Sequence, residues 1–346
     1  MAPVLALLAL APWTAECVWG GFTVVDWPFV VVILAPMYGG AAVGIREIAR
    51  RTGGGWPAIV LLAAAFGFVQ AGLVDQSLFN PAFLDDTQFA SDAAAARATW
   101  VPGLDFSAQQ AFAYVGGHVA LSICAPIAIV ETFGRRTPWL GRRGLAVIAV
   151  LYVLGSLLIF RDSYENGHFL PSSAQLLFTM VVVIALVAAA LIRRRPHIVR
   201  RRPPTESAAQ MPTESTGRHL ETGGWMPHPL IVAVIAALPH LSGDLAQGWA
   251  GLAIQVAVTG LVAVAVVRWS RRDTWGRAHV LAGWGAGLVV SAAIAYLVPT
   301  YAVSTPAMAL LSDVCISLVT AALLGVTWKR QALNASTRAA ESPYGE

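Results

Sequence analysis

Apolar stretches long enough to cross a lipid bilayer recur along this chain, at residues 2–20, 27–46, 55–75, 106–131, 144–160, 170–192, 229–243, 245–267, 278–298 and 306–328. A bilayer core of about 30 Å needs about 20 helical residues, and lipid offers the backbone no hydrogen-bond partners, so such runs are helices. Composition agrees, with 57% hydrophobic and 12% charged residues and a mean hydropathy of +0.64. A soluble domain carries about 25% charged residues because its surface faces water. The expected fold is all-α, a polytopic transmembrane bundle of ten spans. The seventh run is the weakest, being short and interrupted by Pro239, and it reads either as a crossing or as a re-entrant piece.

Orientation follows from charge, because short loops rich in Lys and Arg stay in the cytoplasm. Of the 23 Lys and Arg residues, 21 follow an even-numbered span, and only Arg97 and Arg161 fall on the opposite side. Both termini are therefore expected in the cytoplasm. A non-crossing seventh run would leave Arg268, Arg271, Arg272 and Arg277 outside, so the count also favours a crossing there. The first run also admits reading as a secretory signal. It lacks a basic start, and Thr14-Ala15-Glu16-Cys17 is a poor lipobox, which favours a retained span. Trp19, Trp27, Trp56, Trp139, Trp225, Trp269 and Trp328 lie near span ends, the headgroup level an indole prefers.

Residues 193–228 divide the chain into a six-span part, 1–192, and a four-span part, 229–328, and a polar tail follows at 329–346. The linker is basic, proline-rich and too polar to bury a core, so disorder is expected there. Its arginines serve either as a topology signal or as contacts for anionic headgroups. Nucleic acid is excluded as a partner because topology accounts for the positive charge. In the outer loop, residues 77–81 read as a turn and 90–100 as a short interfacial helix. Gly40 with Gly44, and Gly283 with Gly287, have the spacing that lets helices approach closely, within the chain or in a homo-oligomer. Cys17, Cys124 and Cys315 lack metal-type spacing and read as packing residues. The sequence holds no phosphate loop, zinc-binding histidine pair or nucleophile elbow, so no cofactor and no metal site is expected.

Ionisable and amide side chains at membrane depth are the strongest functional signal, because each costs about 2.5–3.5 kcal/mol at the bilayer centre unless it faces protein or water. Glu16 closes the first span. Gln70 and Asp75 occupy the outer end of the third. His118 lies near the middle of the fourth, with Ser122 one turn further along the same face. His240 and Asp244 close the seventh, and Asp313 lies about 10 Å inside the tenth. Apart from mid-span His118 and Ser122, these residues belong to the outer half, so an outward-facing polar cavity is expected. Asp313 is expected to pair with His118 or Gln70. Glu47 and Glu131 sit at cytoplasmic ends beside arginines, where local ion pairs suffice.

Val69 to Asp75 and Tyr114-Val115-Gly116-Gly117-His118 resemble two motifs of the CAAX-protease-like (CPBP) glutamic intramembrane proteases. In that family a Glu-Glu-x-x-x-Arg motif precedes an aromatic-x-x-x-His motif. Here Gln70 and Ala71 replace both glutamates and Asp75 the arginine, so the resemblance implies a degenerate, non-catalytic relative. The stretch from Ala35-Pro36-Met37-Tyr38-Gly39-Gly40 through Arg46-Glu47 to Ser77-Leu78-Phe79-Asn80 is similar to uncharacterised multi-span proteins of high-GC bacteria, which implies a bacterial plasma membrane. The expected function is a non-enzymatic membrane protein, transporter-like toward a small solute or ion. The alternatives are a degenerate protease-like protein and a membrane scaffold.

Overall fold

The computed structural model of the protein describes residues 1–91, 95, 97–192, 226–243 and 245–340. The linker at 193–225, the tail at 341–346, Asp244 and part of the outer loop lie outside the described residues. Ten apolar helices follow one another among the described residues: α1 (Ala2–Cys17), α2 (Trp27–Thr52), α3 (Gly55–Val74), α4 (Ala108–Phe133), α5 (Arg142–Gly167), α6 (Ser173–Leu191), α7 (Pro229–Leu241), α8 (Gly248–Ser270), α9 (Arg277–Leu297) and α10 (Pro306–Ala340). Eight are long and apolar enough to cross a membrane, whereas α1 and α7 are shorter. The chain is an all-α membrane protein.

Helix ends follow local chemistry. Ser107 and Ser172 accept hydrogen bonds from the first-turn backbone of α4 and α6, and Gln175 completes a reciprocal cap by returning its carbonyl to Ser172 N. Gly53, at φ +72°, takes the left-handed conformation that stops α2 and lets the chain reverse into α3. The interfacial helix expected over 90–100 does not run through: Arg97–Thr99 form a 3-10 turn, followed by strand β1 (Trp100–Val101). This strand pairs antiparallel with β2 (Phe106–Ser107), Trp100 opposite Ser107. The ladder satisfies backbone groups that a single interfacial helix would have left at its ends.

Burial separates a centre from a periphery. Half or more of the apolar stretch is buried in α2, α3, α4 and α9, against 11% in α5 and 6% in α8. Helix α1 joins the centre through Leu7, Ala11 and Cys17, each fully buried. Around the centre, α7 lies along α9, α6 along α3, and α5 against α2. One core cluster joins Trp13, Cys17, Val30, Ala125 and Ile129 to Leu281, Leu288 and Ile316, so the two halves of the sequence share a core.

Contacts tie several helices together at each end of the bundle. Arg277 at the start of α9 donates to the Glu131 carbonyl near the end of α4, Gln331 late in α10 donates to Thr132, and Arg46 of α2 donates to the Arg135 carbonyl. The arginine-bearing ends thus meet at one end of the bundle. At the opposite end, Tyr301 N donates to Gly21 O, Val24 N to Ser312, and Gln175 to Leu104 O.

Glycines allow the central helices to touch. A Cβ on Gly39 would lie 2.6 Å from the Leu8 backbone, and one on Gly155 would lie 2.7 Å from Met37 N. Gly283 faces Val232 and Gly287 faces His240, both of α7, and Gly40 faces Tyr152, so these three pack within the chain; Gly44 has nothing within 4 Å. We expect Gly39→Ala and Gly155→Ala each to lower stability in detergent by about 1–3 kcal/mol, because backbone cannot yield as a side chain can. Gly260→Ala, with open space at its Cβ, should be neutral or slightly stabilising. Equal unfolding temperatures for all three variants would contradict this packing.

Candidate functional site

Four central helices carry a wide π-type turn, and each such turn holds a polar residue away from the arginine-rich end of the bundle. They are Trp13–Cys17 with Glu16, Ala35–Gly39 with Tyr38, Gln70–Val74 with Gln70, and His118–Cys124 with His118 and Ser122. Proline lies beside three of them. Pro12 precedes the first, Pro36 lies in the second and Pro126 follows the fourth closely. Proline has no N–H to donate and its ring crowds the preceding turn, so each of these helices loses one regular hydrogen bond close to its wide turn. The third turn is the last of α3 and contains Gly72, packed against Thr179 and Phe79.

These turns bring side chains together. The Tyr38 hydroxyl donates to Glu16 Oε1 at 2.5 Å. Its ring lies 5.8 Å from the His118 ring, and Phe66 meets His118 edge-on at 5.5 Å. Gly67 makes this possible, since a Cβ there would stand 3.3 Å from His118 Cβ. His118 Nδ1 bonds the buried Ser122 hydroxyl at 3.2 Å. Gln70 Nε2 donates to Asp75 Oδ2 at 3.2 Å, and Ser77 N donates to Oδ1 at 2.9 Å. Asp75 lies within electrostatic range of Glu16, Tyr114 and Tyr301. Burial raises the phenol of Tyr301, in the loop before α10, well above its usual range, and the Glu16 carboxylate adds to this.

Two features leave the cluster unsatisfied. Among the described residues no Lys or Arg pairs with Glu16 or Asp75. Gln70 Oε1 and both amide atoms of Gln76 are buried without a hydrogen-bond partner, the two side chains being 1% and 0% exposed. Glu16, Asp75 and His118 keep partial exposure, so each borders space that a water-sized sphere can enter. A cleft of about 20 Å³, lined by Ser77, Arg97, Asp105 and Tyr114 among others, opens beside them.

Of the residues expected from sequence, Glu16, Gln70 and Asp75 share this cluster, and His118 with Ser122 adjoins it through Tyr38. His240 lies elsewhere, over Gly287 between α7 and α9, and Asp244 is outside the described residues. Asp313 makes no hydrogen bond or ion pair with a described residue, and His118 bonds Ser122 instead of Asp313. Sequence reasoning did not single out Tyr38, Gln76 or Tyr301 as site residues. The prolines inside apolar spans are the signal that points to Tyr38.

A second polar network occupies the arginine-rich end. Glu131 takes Arg46 at 3.0 Å and Arg50 at 2.7 and 2.5 Å, both from α2, so these pairs are long-range rather than local. Glu47 accepts from Arg46 at 2.7 Å, from Arg51 at 3.1 Å, and from Trp139 N at 2.8 Å, while Arg51 also reaches Leu140 O. Arg46 is fully buried, its guanidinium 3.5 Å from the centre of the Trp139 ring. Every carboxylate oxygen here has a donor, which is the condition for burying charge.

Comparison with protein-family models, with curated proteins and with solved structures returns no match to this chain.

Tyr38→Phe removes the donor to Glu16 and should cost about 1–3 kcal/mol of stability in detergent, the cost of stripping a bond from a charged acceptor. Tyr164→Phe, at an exposed position, should stay within about 0.5 kcal/mol. Equal effects would mean that the Tyr38–Glu16 bond carries no weight.

Proposed function

We propose that this chain is a carrier-type membrane protein of ten crossings, with both termini cytoplasmic, in the plasma membrane of a bacterium, and that its outer cluster binds a small positively charged solute. The observation that carries this reading is a pair of carboxylates, Glu16 and Asp75, within electrostatic range of each other and without a basic partner among the described residues. Two like charges in a medium of low dielectric repel strongly, and a cation between or beside them relieves that repulsion. The unpartnered carbonyl oxygens of Gln70 and Gln76 are hard oxygen acceptors suited to the same ligand. Wide π turns inside helices also occur frequently at functional sites.

The protease-like alternative is the weaker reading. No hydrogen bond joins either carboxylate to His118 among the described residues, and Tyr38 gives its hydroxyl to Glu16 while its ring lies against His118. A water-activating carboxylate and histidine would need to meet at hydrogen-bond distance of a shared water.

Thermal unfolding of the purified protein against alkali cations, ammonium and small primary amines tests the solute class. A ligand at about 100 times its Kd should stabilise by about 2.7 kcal/mol, and Glu16→Gln combined with Asp75→Asn should abolish the effect. Indifference to the whole panel, or stabilisation that survives the double substitution, would sink the proposal. Orientation has its own test: an impermeant thiol reagent applied from outside should label Asp162→Cys and spare Ser270→Cys, and the reverse pattern would invert the topology.

A further inference from the structure

We propose that the arginine-rich end holds a binding site for the phosphate of an anionic phospholipid, seated between Arg136 and Arg277 with the Trp56 indole as a third donor. The site is independent of the outer cluster. It is a narrow cleft of about 10 Å³ between the start of α3, the end of α4 and the start of α9, lined by Trp56, Glu131, Thr132, Arg136 and Arg277 among others. A space of that size admits about one oxygen atom.

The cleft contains donors and lacks an acceptor free to take them. Both carboxylate oxygens of Glu131 already take close bonds from Arg46 and Arg50. Arg136 reaches that carboxylate only at 3.9 Å, and Arg277 makes one long bond, 3.4 Å, to the Glu131 backbone carbonyl. Trp56 Nε1 is buried without an acceptor. Burial disfavours the charge of Arg136 most, and the Glu131 carboxylate opposes this while Arg277 and Arg50 add repulsion. An anion with several oxygens answers all of this at once: one oxygen enters the cleft toward the indole N–H, and the others take the two guanidiniums.

Location selects lipid as the source of the phosphate. The cleft opens where the apolar lengths of α3, α4 and α9 give way to the arginine-bearing loops, the level at which headgroups lie and at which tryptophan is enriched. The start of α9 also presents the positive end of its helix dipole.

Native mass spectrometry of the full chain, released from vesicles of equal phosphatidylglycerol and phosphatidylcholine, tests the assignment. Wild-type protein should retain phosphatidylglycerol preferentially. Arg136→Gln and Arg277→Gln should each weaken retention about fivefold, the value of one basic side chain near an anionic surface. Trp56→Phe keeps the ring beside Trp284, whose centroid is 6.0 Å away, and removes only the N–H, so it should weaken retention with no loss of fold. No preference for phosphatidylglycerol, or a preference that all three substitutions leave intact, would overturn the site. Inorganic phosphate alone, at millimolar concentration, should leave the unfolding temperature unchanged. Stabilisation by it that is lost in Arg277→Gln would overturn the lipid assignment in favour of a free anion.

Discussion

A backbone carbonyl without its N–H donor is expensive in an apolar slab, because no water is at hand to replace the bond. Proline withholds the helical donor of the carbonyl four residues earlier, so Pro12, Pro36 and Pro126 each remove one such bond on helices packed at the centre of the bundle. A wide turn lies beside each of them, and these turns gather Glu16, Tyr38 and His118 into one region. The candidate site thus sits where the helices depart from regular hydrogen bonding. Surrounding glycines complete it, since Gly39, Gly67 and Gly155 let backbones approach where any side chain would hold them apart.

The two ends of the molecule manage polarity in opposite ways. At the arginine-rich end, Glu47 and Glu131 are fully engaged by Arg46, Arg50 and Arg51 and by backbone N–H groups, and the network ties α2 to α4 and to the chain entering α5. Removing one partner from such a network strands the others, which makes these paired residues a rigid tie, and the less engaged Arg136 and Arg277 beside them are the groups left for a ligand. At the opposite end the carboxylates have hydroxyl, amide and backbone donors but no counter-charge among the described residues, and three amide atoms of Gln70 and Gln76 have no partner there. A region left short of hydrogen bonds inside a packed protein is where a ligand adds most.

Packing follows the same division. Helices α2, α3, α4 and α9 are buried on half or more of their apolar length, whereas only 11% and 6% of that of α5 and α8 is buried. Lipid tails are as apolar as leucine, so no hydrophobic force separates these classes. Close contact between small residues and polar ties decides which helices sit inside.

Much of the architecture was legible in the sequence because the bilayer imposes it: helices of about twenty apolar residues, their approximate ends, and arginines gathered at one end follow from length and charge alone. Glu16, Gln70, Asp75 and His118 also stood out, since polar groups at depth are rare whatever surrounds them. Which of them meet was decided by tertiary structure. Asp313 and His118 share a similar depth, but depth does not specify rotation about the helix axis, and His118 turns to Ser122 instead. Glu131 seemed served by neighbouring arginines, yet its partners come from another helix, because α2 and α4 end side by side. Tyr38 gave no polar signal among apolar neighbours; only the π turn beside Pro36 and the close approach at Gly39 bring its hydroxyl to Glu16. Sequence determined the spans and their polar contents, and the helix rotations set by proline and glycine determined the site.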